Sequence, residues 1–248
     1  MNDIDTSNTV NGRPIYILIN QSNLQINPST YPNIGYLGIV DSKNITLGRL
    51  SMENKIQGLM LAQTTNCEVS EVSLSNNQVG IYLWNCSKNT IMGSTIINCG
   101  VDMRLCKNNI FRGNTLLSGN LRLVNSSDNT FHRNNFIQTG VQIEGTVQNN
   151  TWDDRDSWPG PFDCPICVEK RPVGNYWSDY QGEDNGLHTQ SHNCLGDGIG
   201  DTLVPVHGVD YCPLMKPWLP LVGDLDYNGI VNIVDIYKVA RNFGKTSP

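Results

Sequence analysis

An asparagine beside a short apolar pair recurs about every twenty residues through most of this chain. The recurring asparagines are Asn44, Asn66, Asn89, Asn109, Asn129 and Asn150. A near-constant period of this length is typical of a solenoid, in which each repeat forms one coil of a stack. We therefore expect these asparagines to form a structural column that hydrogen-bonds from coil to coil and tolerates the left-handed conformations of turns.

A second series of residues opens a short alternating run in each repeat. It comprises Gly35, Gly58, Gly80, Gly100, Asn120 and Gly140. Alternation of apolar and polar residues predicts half-buried strands. The side chains predicted to stack inside are Leu59/Leu61, Ile81/Leu83, Val101/Met103, Leu121/Leu123 and Val141/Ile143. Two or three short strands per coil leave no room for a helix, so we predict an all-β fold, a right-handed parallel β-helix with strands about 4.8 Å apart.

The composition excludes some partners and suggests a division of the chain. Only 16% of the 248 residues are charged, the net charge is −6 and the pI is about 5.1, without the basic stripe of a nucleic-acid-binding protein. No apolar run reaches the roughly 18 residues of a membrane span, and the start "MNDIDTSNTV" lacks a secretion signal. We expect a β-helix over residues 1–155, an irregular cap over 156–221 and a small module over 222–248.

Eight cysteines bear on the compartment of the protein. Cys86 and Cys106 each lie six residues after the glycine of their coil, so we expect them to be adjacent, either as a disulfide or as reduced thiols. The cap contains Cys164, Cys167, Cys194 and Cys212. His188 and His192 near Cys194 form a possible transition-metal cluster, but an even number of cysteines in a long loop favours disulfides in an extracellular or cell-surface protein.

The outward positions of neighbouring coils combine aromatic and charged side chains. They are Tyr82, Trp84, Asp102, Arg104, Arg122 and Glu144. Such a face is suited to stacking on and hydrogen-bonding a sugar, or to covering by another protein surface. Catalysis would need a suitably placed pair of carboxylates, and Asp102 and Glu144 are two coils apart, about 10 Å by coil stacking. The pattern therefore favours binding or a structural role over an enzyme.

Three stretches carry a family resemblance. "GNYWSDYQGEDNG", "GDGIGDT" and "VDYCPLM", following asparagine-rich coils, resemble the NosD-like repeat proteins over residues 8–216. The resemblance implies a right-handed β-helix of the carbohydrate-binding and sugar-hydrolase type. Cys212 replaces the family's usual tyrosine and "LHTQSHNCL" looks inserted, so the comparison implies that Cys194 and Cys212 pair. Some members handle copper, but we expect no copper here because the coils offer no Met or His column.

The sharpest motif is "DLDYNGIVNIVD", residues 224–235. Oxygen-bearing side chains at positions 1, 3, 5, 9 and 12, with Gly229 at position 6, are the pattern of an EF-hand-type calcium loop. The predicted ligands are Asp224, Asp226, Asn228 and Asp235 by side chain, Ile230 by its carbonyl, and Asn232 directly or through water. With the helix predicted after it, this loop resembles one dockerin repeat, which implies a cohesin-like partner.

A dockerin has two such repeats, and this chain has one. We therefore expect the half-module to pack against its own cap near Trp218 or against a neighbouring subunit. A weaker calcium candidate is "DGIGD", which contributes Asp197 and Asp201, with Asp184 and Asp179 upstream. Short Asp/Gly runs also form ordinary turns.

These observations predict an extracellular structural or adhesive β-helix that binds glycans or forms a scaffold or filament, with calcium-dependent docking of its C-terminal module. Two alternatives remain. A polysaccharide-active lyase, hydrolase or epimerase predicts an open groove at Tyr82, Asp102 and Arg104. A metal-handling protein predicts that the two cap histidines converge with Cys194.

Overall fold

The computed structural model describes residues 4–154, 173–186, 198–227 and 231–242. This part of the chain is nearly all β, with 41% strand and 4% helix, and it forms a β-solenoid of about 6 turns. No helix within it has both the length and the apolar character needed to cross a membrane. The predicted all-β solenoid is confirmed.

Most strands are three to six residues long, as expected of coils of about twenty residues. In chain order they are β1 Thr9–Val10, β2 Arg13–Ile19, β3 Gln25–Ile26, β4 Tyr36–Val40, β5 Thr46–Gly48, β6 Ser51–Glu53, β7 Gln57–Ala62, β8 Glu68–Ser70, β9 Ser73–Ser75, β10 Val79–Trp84, β11 Thr90–Met92, β12 Thr95–Ile97, β13 Val101–Arg104, β14 Ile110–Arg112, β15 Thr115–Leu117, β16 Asn120–Val124, β17 Thr130–His132, β18 Asn135–Ile137, β19 Gly140–Glu144 and β20 Tyr176–Trp177. One helix, α1, spans Ile233–Asn242.

Each full coil contributes one strand to each of three sheets. The first sheet has the order β1-β2-β4-β7-β10-β13-β16-β19, the second β17-β14-β11-β8-β5-β3, and the third β20-β18-β15-β12-β9-β6. All pairings are parallel except the antiparallel pair of β1 with β2. The prediction that the alternating runs form one parallel sheet is confirmed, and each strand begins within one residue of the predicted position.

The predicted interior columns are also present. Leu61, Leu83, Met103 and Leu123 stack in register and are all buried. Ile143 continues the same column but is 48% exposed, which corrects its assignment to the core. The reason is that β19 ends the first sheet, and no strand among the described residues pairs beyond it.

Aromatic rings fill the core at the C-terminal end of the stack. Phe131 lies between Phe111, with ring centroids 5.3 Å apart, and Trp152, at 4.5 Å. Trp177 stacks on Phe136 at 4.3 Å. Because Trp177 belongs to β20, which pairs with β18, the cap extends the third sheet beyond the coils that the sequence period predicts.

The predicted asparagine column divides into two. Asn89, Asn109, Asn129 and Asn150 each accept, through Oδ1, a backbone N–H from the preceding coil, at 2.8–3.0 Å. Asn44 and Asn66 lie one residue out of this column, since the coil pairing aligns Thr65 with Ser87 and therefore Cys67, not Asn66, with Asn89. This corrects their assignment.

Asn44 and Asn66 instead occupy an outer turn column with φ of 54° and 55°. One position in each coil therefore forms the hydrogen-bonded ladder, and the position beside it adopts the left-handed turn conformation. Asparagine suits both, because its side chain both accepts and donates, and because it tolerates positive φ.

A second polar ladder, which the sequence period did not reveal, connects the coils to the cap. Asn114 accepts from Ser94 N, Asn134 from Asn114 N, and Asn175 from Asn134 N, at 3.0–3.1 Å. The last acceptor is Asp210, whose Oδ2 lies 2.9 Å from Asn175 N. The cap is thus joined to the coil stack through buried backbone groups.

Candidate metal centre and the surfaces around it

Three of the predicted calcium ligands come together. Asp224, Asp226 and Asp235 are buried, and one carboxylate oxygen of each lies within 4.8 Å of the others. Asn228 and Ile230, the predicted ligands between them, lie outside the described residues. The structure therefore brings together positions 1, 3 and 12 of the loop, an arrangement of hard oxygen donors that suits Ca²⁺.

The start of helix α1 positions Asp235. Asn232 is the N-cap, because its Oδ1 accepts the N–H of Val234 at 2.8 Å. Asp235 reaches back to accept the N–H of Asn232 at 2.8 Å and, with its other oxygen, that of Leu225 at 2.7 Å. This reciprocal arrangement resembles a capping box, except that the N-cap side chain accepts from the second helical residue and not the third. The side chain of Asn232, a predicted ligand, therefore also has a capping role.

The electrostatic environment differs between the carboxylates. Burial raises the pKa of Asp226, and the nearby charge of Asp235 raises it further, while Arg112 opposes both effects. For Asp235, burial acts to raise the pKa, but hydrogen bonds from the Asn232 and Leu225 amides bring it below its usual value. Asp235 is thus held as a carboxylate, ready to accept a cation.

The acidic loop lies on the flank of the coils, not on the cap alone. Tyr227 covers Gly93 and Gly113, two turn glycines with φ of 55° and 62° at which a Cβ would overlap the tyrosine. Trp218 packs 6.1 Å from Tyr227 and exchanges two hydrogen bonds with Asn135, of 2.7 and 3.0 Å. The acidic loop therefore lies near Trp218, as predicted, but the glycines that Tyr227 covers belong to the coils and not to the cap.

A buried basic cluster lies in the second sheet beside this flank. Arg133 forms an ion pair of 2.6 Å with Asp154, both nearly inaccessible. Burial, with the charges of Arg133 and Arg112, lowers the pKa of His132 to about 3, so its imidazole is neutral above that pH. Arg112 and His132 carried no signal in the periodic sequence, because the third position of the second-sheet strand varies from coil to coil.

The second sheet places one methionine and one histidine in the same register column, two coils apart. Met92, Arg112 and His132 occupy one register column. However, Arg112 lies between the other two and its Nη2 is 3.7 Å from the sulfur of Met92. A guanidinium between the two soft ligands places positive charge where a shared copper ion would have to lie.

The residues predicted to form a glycan or interface face lie together on neighbouring strands of the first sheet, and their charges are paired. Asp102 contacts Arg104 at 2.9 Å and Arg122 at 3.2 Å, and Arg122 contacts Glu144 at 2.7 Å. The hydrogen bond from Arg122 lowers the pKa of Glu144. A general acid needs a raised pKa, so this arrangement does not suit Glu144 to acid catalysis.

The aromatic part of the same face is accessible. Trp84 is 39% exposed and pairs in register with Arg104, whose guanidinium carbon lies 5.8 Å from the ring centroid of Tyr82. Flat aromatic side chains beside fixed polar groups are a common arrangement for carbohydrate stacking. The geometry allows binding here without assigning a ligand.

The adjacency predicted for Cys86 and Cys106 is confirmed. The two cysteines follow paired strands, are buried, and are free thiols in the structure, which corresponds to the reduced alternative. The Sγ of Cys86 lies 3.2 Å from the hydroxyl of Thr64, and Cys106 N donates to Ser126 Oγ at 3.1 Å. The thiols therefore occupy a column of small hydrogen-bonding side chains.

Six residues predicted to act in the cap are outside the part of the chain that the structure describes. They are Cys164, Cys167, His188, His192, Cys194 and Asp197. The Cys194–Cys212 pairing and the convergence of the two histidines with Cys194 therefore stay predictions. Within the described part, Asp201 is buried and Asp184 half-buried, while a carboxylate oxygen of Asp179 lies 3.0 Å from His207 Nε2.

The parallel coils and the long cap define a β-helix repeat protein. The sequence model of the NosD family, described as "Periplasmic copper-binding protein (NosD)", matches residues 2–122 and 41–182. Together these matches cover most of the chain, so it belongs to the NosD family.

Other comparisons add little. No curated protein matches the chain. Two trypsin-treated forms of QnrB1, a plasmid-mediated fluoroquinolone resistance protein, share 12% and 11% identity with it over 54% of this chain and 91% and 92% of theirs, with TM-scores of 0.20 and 0.21. Scores this low carry no argument about fold or function.

Proposed function

We propose that this chain is a calcium-binding β-helix protein of the periplasm or cell surface, in which the ion orders a C-terminal segment that docks a protein partner. The observation that carries the proposal is the buried cluster of Asp224, Asp226 and Asp235. Three ionised carboxylates at this separation repel one another, and a divalent cation with oxygen ligands removes the repulsion.

The remaining ligands belong to the same proposal. Asn228 and the carbonyl of Ile230 complete positions 5 and 7 of the loop, and Asn232 contributes through a bridging water because its Oδ1 already accepts the Val234 amide. A loop that chelates through positions 1, 3, 5, 7, 9 and 12 is of EF-hand type. Calcium would then join the start of α1 to the segment that packs on the coil flank.

The exposed side of α1 supports the docking part of the proposal. Ile233, Ile236 and Tyr237 are 73%, 58% and 64% exposed, more apolar surface than a short helix normally leaves in water. The dockerin resemblance implies a cohesin-like domain as the partner. A second copy of this chain is the competing occupant, which sedimentation of the calcium-loaded protein distinguishes by its mass.

A second candidate function is glycan binding by the first sheet. The observation that favours it is the exposure of Trp84 beside Tyr82 and Arg104 on one sheet face. A sugar ring would stack on the indole and accept hydrogen bonds from the arginine. We do not extend the copper binding in the family's description to this chain, because Arg112 separates Met92 from His132.

Calorimetric titration of calcium into the full, chelator-treated chain tests the first function. The Asp226→Asn variant removes one ligand charge, so its affinity at the acidic loop should fall by about tenfold or more. Asp41→Asn is a matched control, since Asp41 is exposed and has a φ of 46° that asparagine tolerates. Equal calcium binding by Asp226→Asn, Asp41→Asn and the parent chain would contradict the proposal.

A glycan array tests the second function. We expect Trp84→Ala to lose any signal that the parent chain gives, because the stacking surface is removed. Ile56→Ala is the control, as Ile56 is 73% exposed but precedes β7 in a turn outside this face. Equal retention of a glycan by both variants would place the binding surface elsewhere.

A further inference from the structure

A pair of carboxylates lies between two segments of the cap that precede the acidic loop in the sequence. The segments are residues 183–186 and 198–202. Asp201 N donates to Glu183 O at 2.7 Å, and Glu183 N donates to Thr202 Oγ1 at 2.8 Å. The two segments are therefore held side by side by hydrogen bonds that do not involve the carboxylates.

Each carboxylate spans the junction between the segments. Oδ2 of Asp184 accepts the N–H of Gly198 at 2.8 Å, and Oδ2 of Asp201 accepts that of Gly186. Asp184 thus faces the second segment and Asp201 faces the first. Both carboxylates are oriented by backbone amides, as ligating carboxylates commonly are.

The other oxygen of Asp201 points to a ligand. Asp201 is only 5% exposed, and its Oδ1 is buried without a hydrogen-bond partner among the described residues. A buried carboxylate oxygen that accepts nothing is unfavourable and rare, and a bound water or ion usually supplies the missing partner. The Oδ2 of Asp201 already accepts the Gly186 amide, so Oδ1 is the oxygen that lacks a donor or a cation.

The surroundings favour a cation over a water molecule. The ring of Tyr180 is held against Gly182 and Gly200, where a Cβ would overlap it, and its hydroxyl donates to Thr202 O at 2.7 Å. Burial raises the pKa of Tyr180, and the negative charges of Asp201 and Asp184 raise it further. Both carboxylates therefore place negative charge on the region around Tyr180.

We propose that Asp184 and Asp201 bind a calcium ion between residues 183–186 and 198–202. Carboxylate oxygens select hard cations, and calcium accepts the irregular geometry and additional waters that two protein carboxylates require. This site is separate from the acidic loop of the proposed function. The bound ion would connect the two segments of the cap.

The test uses the full chain with Asp224→Asn as the parent, so that the acidic loop is already impaired. We expect this parent to take up a calcium ion in calorimetric titration, and the added change Asp201→Asn to weaken that uptake by about tenfold or more. Asp41→Asn is the matched control, since Asp41 lies in the coils, is exposed and has a φ of 46° that asparagine tolerates. Its addition should leave uptake unchanged.

Terbium supplies a local readout, because a nearby tyrosine sensitises its luminescence. In the Asp224→Asn parent, Tyr180→Phe should abolish most of the sensitised emission while calcium uptake is retained. Emission that is unchanged by Tyr180→Phe would place the ion elsewhere and overturn the proposal.

Two further outcomes would also overturn it. One is a folded Asp224→Asn parent that binds no calcium, which would mean that water occupies the site. The other is equal calcium uptake with and without Asp201→Asn. If Asp201→Asn does not fold, hydrogen exchange of the parent decides: protection of the Gly186 and Gly198 amides must rise with calcium, and unchanged protection rejects the site. Failure of the acidic loop to bind calcium leaves these results unaffected.

Discussion

Asp210 offers a sharp test of how the cap is joined to the coils, because it is a fully buried carboxylate at the end of the second polar ladder. Its Oδ2 accepts from Asn175 N at 2.9 Å, Asn175 Nδ2 at 3.1 Å and Trp177 Nε1 at 2.9 Å. Its Oδ1 accepts from Cys212 N at 3.0 Å. We consider the substitution Asp210→Asn, which keeps the shape and removes the ionisable group.

Burial raises the pKa of Asp210 from 3.8 to about 6, although the hydrogen bonds from Trp177 and Asn175 oppose the shift. Two pKa units correspond to about 3 kcal/mol. Between the unfolded and folded pKa values the native state binds more protons than the unfolded state, so stability falls as pH rises. The stabilisation is fully present below about pH 4 and is lost by the time pH passes through about 6.

Urea unfolding of the parent chain and of Asp210→Asn at several pH values between 4 and 7 measures this term. Other titrating groups cancel in the difference between the two proteins. We expect the unfolding free energy of the parent, relative to the variant, to decrease by about 3 kcal/mol from pH 4 to pH 7. A difference that does not change with pH, or that changes in the opposite direction, would refute the reasoning.

Three other substitutions test packing. Gly113→Ala should destabilise the docked segment by about 1–2 kcal/mol, because it adds backbone strain and displaces Tyr227, and limited proteolysis of the segment should become faster. Gly12→Ala is the control, because Gly12 has a φ of 72° but open space around it. Proteolysis of the docked segment should be unchanged in this variant. Phe131→Ala should cost about 3–5 kcal/mol in thermal or urea unfolding, because the ring is stacked on both faces; a loss near zero would contradict the aromatic core. Cys86→Ser should cost under about 1.5 kcal/mol, and mass spectrometry of unreduced digests should find this cysteine as a thiol.

The regular coils were predictable because their strands repeat a pattern of period two at a nearly fixed spacing. The predicted column was wrong only where two asparagines at the expected spacing occupy different positions in their coils. Asn66 and Asn89 are 23 residues apart, but they belong to two adjacent columns. Only the backbone pairing between coils shows this difference. Ile143 was assigned to the right column, but a pattern does not state which coil is the last.

The second ladder and the docking flank could not be read from the period. Asn175 follows Asn134 after 41 residues, so the intervening chain hides the repeat, and the terminal acceptor is an aspartate. The spacing of Gly93 and Gly113 was a usable signal, because glycines at equivalent turns allow close approach by another group. The residue that approaches, Tyr227, lies in a different motif and is brought there only by tertiary packing.

Hydrogen exchange of the Leu225 and Asn232 amides, with calcium and with chelator, tests the central claim most directly. Both amides donate to Asp235, so an ion on that carboxylate should stabilise both hydrogen bonds together. We predict that calcium slows their exchange by about tenfold or more in the parent chain, has no such effect in Asp224→Asn, and leaves the coil amides unchanged. Identical exchange of the two amides with calcium and with chelator would contradict the account.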